Sequence, residues 1–153
     1  MSTYQTILAD LKTAMKSRDG DKATVLRSLK AAFQEKEISM RTGGGAVELK
    51  EEEVIQVLMK AAKQRRDSLT QYENASREDL ASVERYELEI IDSYLPKMMT
   101  ESEIRTIVAQ VADQVGASSP ADMGKLMGAL MPKVKGKADG AQVNKIVKEH
   151  LAE

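Results

Sequence analysis

From one end of this chain to the other, apolar residues recur three and four positions apart, and nowhere do apolar and polar residues alternate long enough to make a half-buried strand. Such spacing lays one apolar stripe along each of a series of helices and leaves no material for a sheet, so the expected fold class is all-α. Composition points the same way, because 31% of the residues are charged and there are only three prolines to interrupt helices. A length of 153 residues, 42% of them hydrophobic, suffices for one core or two small ones.

Punctuation divides the stripes. Tyr4, Ile7, Leu8, Leu11, Ala14 and Met15 predict a first helix from Ser2 or Thr3 to Ser17, with a break at Asp19-Gly20-Asp21. A second helix from Lys22 to Met40 should bury Val25, Leu26, Leu29, Ala32 and Phe33. Gly43-Gly44-Gly45 then marks a surface loop; a phosphate cradle would need a following Gly-Lys-Ser/Thr, and Ala46-Val47-Glu48 stands there instead. A third helix, Lys50 to Tyr72, has a basic middle of Lys60, Lys63, Arg65 and Arg66. Ser76 with Asp79 resembles a capping box for a fourth helix, whose outer side carries Glu84, Glu87, Glu89 and Asp92. The short turn makes these two an antiparallel hairpin in which opposite charges face each other.

Tyr94-Leu95-Pro96 stops the fourth helix, and Thr100 with Glu103 is a capping box for a fifth. The expected domains are therefore 1–98, four helices including the hairpin, and 99–153, three short helices. In the second, Ile104, Ile107, Val108, Val111 and Val115 lead to Gly116 as a C-cap, and Ser119-Pro120 opens the next helix. Pro132 should end that helix, and Asp139 with Gln142 should start the last.

The stretch from Met123 to Val147 is the candidate working surface. Lys125, Lys133, Lys135, Lys137, Lys145 and Lys148 face a single acid, Asp139, in a chain whose net charge is −1. Gly124 and Gly128 sit beside an apolar stripe; each costs a helix about 1 kcal/mol relative to alanine, which suggests close approach to the backbone there. Gly136 lies between Lys135 and Lys137 in a short loop delivered into a helix start. This pattern suggests an anionic partner, against the alternative of a solvated lysine-rich face.

Catalytic and metal chemistry find no such support. Ser118-Ser119 could be read as part of a Ser-Ser-Lys amidase, but a serine before proline is better explained as a helix cap. His150 is the single histidine and there is no cysteine, so no metal constellation, disulfide framework or cofactor site is expected. The start of the chain lacks a basic segment followed by an apolar one, and no apolar run reaches the roughly 18 residues of a membrane span, so no membrane association and a cytoplasmic location are expected.

Gln64-Arg65-Arg66-Asp67-Ser68, Ser76-Arg77-Glu78-Asp79-Leu80-Ala81 and Tyr94-Leu95-Pro96 resemble the first-part signature of the YqeY family. Asp122-Met123-Gly124-Lys125-Leu126-Met127-Gly128, Lys135-Gly136-Lys137-Ala138-Asp139-Gly140 and Val143-Asn144 are similar to the same family, and to the C-terminal tail domain of the B subunit of tRNA-dependent amidotransferases. The loop from Gly43 to Val47 is longer and richer in glycine than the family pattern. The resemblance implies a helical domain joined to a three-helix tail that packs like a ubiquitin-associated domain. It also implies tRNA contact through the tail, without the catalytic cradle of the amidotransferase. The leading expectation is a noncatalytic protein that binds tRNA or another structured RNA through Gly124, Lys125, Gly128, Lys133, Lys135, Gly136, Lys137 and Lys145. Two alternatives stand beside it: a protein-interaction module, and an accessory to glutamine-dependent amidation whose protein partner would be an amidotransferase or synthetase.

Overall fold

The computed structural model describes residues 1–153 and is all-α, with seven α-helices, one 3-10 turn and no strand. The helices are α1 (Thr3–Lys16), α2 (Gly20–Ser39), α3 (Glu51–Asn74), α4 (Glu78–Tyr94), α5 (Glu101–Val115), α6 (Met123–Val134) and α7 (Gly140–Ala152). They fall into two compact units, Met1–Leu95 and Pro96–Glu153. No helix is long and apolar enough to cross a membrane.

In the first unit, α1 pairs with α2 and α3 with α4. Ser2 and Gln5 form a reciprocal cap on α1, and Glu51, at the start of α3, accepts from the Thr3 amide at 3.2 Å and from the Thr3 hydroxyl. The core gathers Ile7, Leu26, Leu29, Phe33, Leu58 and Ile91, all essentially without exposed surface; each contributes about 1.5–3 kcal/mol by leaving water. Tyr4 lies against Phe33 with ring centres 4.5 Å apart. The Tyr94 hydroxyl donates to Asp10 at 2.6 Å and ties the end of α4 to α1; burial, then that carboxylate, push the phenol above its ordinary range.

Several expected boundaries are displaced for local reasons. The break after α1 is made by Arg18, at φ 60°, so that Gly20 is already helical, with Asp19 as its cap. Ser76 does not cap α4. It has φ 57° and belongs to the end of α3, where the Arg77 amide donates back to Tyr72, while Asp79 is held by the Arg77 guanidinium. A helix-ending turn in which the amide of a residue reaches five positions back requires a left-handed residue, and here serine takes that place in competition with its capping role.

The second unit packs α5, α6 and α7 around Ile104, Val108, Leu126, Leu130, Val143 and Val147. Methionines 99, 123, 127 and 131 are only partly buried at its edge, so its centre is aliphatic. The Thr100–Glu103 capping box and the left-handed Gly116, φ 69°, form as expected. Pro132 does not end α6, which continues to Val134. Only the amide that would have bonded the Gly128 carbonyl is lost, and Val134 is buried in the core, so packing carries the helix one half-turn further.

Candidate nucleic-acid interface

The surface begins where Asp122 accepts from the Ser118 amide at 2.9 Å and the Ser119 amide at 3.1 Å. Those two amides hold its carboxyl below the usual carboxylate range. The arrangement folds Pro120–Asp122 into a 3-10 turn that leads directly into α6. The Ser119 hydroxyl is turned to the same carboxylate at 3.3 Å. That occupies the serine in a cap and gives it a carboxylate acceptor that a backbone pair already stabilises as the anion, which makes a poor base.

Gly124 and Gly128 are exposed, and a Cβ built on either would meet nothing within 4 Å. No neighbouring element approaches α6 closely there, so these glycines do not serve helix packing within the chain. Lys125 and Lys133 are exposed on the same helix, and the Lys133 ammonium reaches only the Gln114 carbonyl, at 3.5 Å.

After α6 the chain turns through Gly136, whose φ of 74° is the left-handed conformation that a side chain resists. The Lys137 and Ala138 amides both donate to the Val134 carbonyl, at 2.9 and 3.0 Å. Ala138 drops into the core at 5% exposure, and the Lys137 carbonyl accepts from the Met99 amide at 2.8 Å. The loop is thus fixed by its backbone, while the side chains of Lys135 and Lys137 stay in water on either side of the glycine. Asp139 then caps α7 by accepting from the Ala141 amide at 2.9 Å; the expected Gln142 half of that cap does not form.

Lys145 is placed differently from the loop lysines. It lies 4.0 Å from Glu149, and Glu149 also accepts from Arg105 at 2.7 Å, while Arg105 bonds Glu101. It therefore belongs to a mixed-charge cluster along α5 and α7. Lys125, Lys133, Lys135 and Lys137 form no ion pair. Gly124, Lys125, Gly128 and Lys133 thus lie on α6, Lys135, Gly136 and Lys137 on the loop that follows, and Lys145 on α7 beside Glu149.

Sequence reasoning overlooked a second concave feature, in the first unit, where an open groove of about 650 Å³ runs between α2 and α3. Gln64 and Arg65, from a motif with no assigned role, line it together with Ser28, Lys36 and Lys60. The signal was available in the small residues Ala31, Ala32 and Ala61, which leave helix faces shallow.

Comparison with known proteins gives the chain its relatives. Altered inheritance of mitochondria protein 41, mitochondrial, of Saccharomyces cerevisiae strain YJM789 is 34% identical over 95 residues, covering 62% of this chain and 49% of that protein. The proteins of the same name from Clavispora lusitaniae and Candida glabrata are 32% and 28% identical, covering 71% and 75% of this chain and 62% and 63% of theirs. The chain thus spans about half to three fifths of the length of these curated relatives. The match to the family described as Yqey-like protein runs from residue 4 to residue 151, and with nearly its whole length covered the chain belongs to the YqeY family.

Proposed function

We propose that this protein is a noncatalytic RNA-binding protein whose ligand is tRNA or another structured RNA. In this reading residues 1–98 form a four-helix domain, and residues 99–153 a tail domain with the packing of a ubiquitin-associated domain that supplies the binding surface. The observation that carries the reading is the cluster of exposed, unpaired Lys125, Lys133, Lys135 and Lys137 beside two helical glycines that face open space. Lysines on a fixed loop match phosphates as point charges, and the bare glycine backbone lets a sugar-phosphate chain come near. Lys145, shared with Glu149, contributes less. All five aromatic residues lie in the first 94 positions, so the tail offers no platform on which unpaired bases could stack. Shape therefore governs recognition, and folded RNA is preferred over single strands.

Fluorescence anisotropy with a folded tRNA and a single-stranded RNA of equal length, over a range of salt concentrations, tests this. The tRNA should bind more tightly, and Lys135→Ala with Lys137→Ala should lower the slope of log affinity against log salt by about two. Equal affinity for the two RNAs, or a double variant that behaves like the parent protein, refutes the reading.

A further inference from the structure

The groove between α2 and α3 has the form of a seat for a third helix. The Arg65 guanidinium reaches back along α3 to the Ala61 carbonyl and donates across to the Ser28 hydroxyl of α2 at 3.2 Å. One turn from Ser28 and from Arg65 stand Ala32 and Ala61, and one turn further Lys36 and Val57, all of them lining the groove. Lining residues recur every four positions on both walls, with Leu29, Ala31, Ala32, Val57 and Ala61 as the apolar members among serine, glutamine and charged side chains. Small floor residues let the backbone of a third helix settle between two others, where larger side chains would hold it away.

The charge around this floor is uneven. Arg65 is already committed: it bonds Ser28 and the Ala61 carbonyl, and lies 3.7 Å from Glu87. Lys36 and Lys60 form no ion pair, and Glu35 is the one acid among the lining residues. The groove thus combines small apolar residues with one free cation on each wall, Lys36 on α2 and Lys60 on α3. It suits a helix that places apolar side chains downward and carboxylates along its flanks. We propose that this groove docks an amphipathic helix of a partner protein, with small apolar residues on its inner face and Asp or Glu on the flanks that meet Lys36 and Lys60. This is a protein-docking function of the first unit and does not depend on the RNA reading of the tail.

The test is a methyl and amide NMR titration of the full-length chain with a synthetic blocked helical peptide carrying an Ala/Leu stripe and flanking glutamates. The same peptide with lysines in place of the glutamates, and an RNA hairpin, are titrated in parallel. The glutamate peptide should shift the methyl signals of Ala32, Val57 and Ala61. Lys36→Glu with Lys60→Glu should weaken it at least tenfold and turn the preference toward the lysine peptide. Both lysines are at the rim, so the variant keeps its core, and an unchanged circular dichroism spectrum checks this. Ala32→Leu, which fills the floor, should weaken the glutamate peptide without reversing the preference. The proposal is overturned if the glutamate peptide produces no shifts at these methyls or if the two peptides bind equally. It is also overturned if the RNA hairpin moves the same methyls, or if they shift with protein concentration alone, which would assign the groove to nucleic acid or to a second copy of the chain.

Discussion

Two stretches of this protein carry runs of cations, the middle of α3 and the segment from Lys125 to Lys137, and their surroundings differ. Along α3 packs α4, whose residues Glu84, Glu87, Glu89 and Asp92 bring carboxylates to the same hairpin. Arg65 and Glu87 meet there with less than a fifth of either side chain exposed, and burial beside Glu87 raises the Glu84 carboxyl above its usual range. The first unit as a whole holds fifteen Lys and Arg against seventeen Asp and Glu. In the second unit the counts are eight and seven; Glu101, Glu103 and Asp113 lie on α5, Asp122 and Asp139 accept backbone amides at the starts of α6 and α7, and the α6 helix and its loop keep four lysines without an ion pair. A run of cations becomes an anion-attracting surface only where the fold fails to bring carboxylates alongside it.

The largest effect should come from binding. Lys133→Ala with Lys135→Ala should reduce affinity for folded tRNA by about a hundredfold near 0.1 M salt if both contact phosphate, since each contact is worth roughly tenfold there. Lys63→Ala with Arg66→Ala on α3 should change it by less than about threefold. Equal losses from the two pairs would break the contrast between the regions.

A smaller effect is expected on stability, and in the opposite region. Arg65→Ala removes two hydrogen bonds and leaves Glu87 partly buried without its partner, a cost of about 2 kcal/mol. The urea midpoint of the first unit should fall while tRNA affinity stays the same. An unaltered midpoint would show that α4 holds α3 by its apolar contacts alone.

The smallest effect sharpens the role of the glycines. Gly124→Ala and Gly128→Ala should each stabilise α6 by roughly 0.5–1 kcal/mol, because the added methyl meets no atom of the chain and helical backbone favours alanine. Thermal unfolding followed by circular dichroism measures it. If RNA lies on that face, the same changes lower tRNA affinity while raising stability. A destabilised variant would instead mean that the face is occupied within the protein.

Sequence alone determined the helical class, the caps at Thr100 and Gly116 and the apolar stripes, because helical spacing and capping depend on residues within a few positions of one another. The isolated lysine excess after Met123 was legible for the same reason. The tertiary structure decided the rest. Pro132 stays inside α6 because Val134 is buried in the core, and Glu149, four residues from Lys145 on α7, is also held by Arg105 from α5. The α2–α3 groove is lined from both helices, and Ser28 and Arg65, 37 positions apart, are joined there by a hydrogen bond. Such outcomes turn on which helices pack together, and local spacing carries no information about the neighbour across the interface.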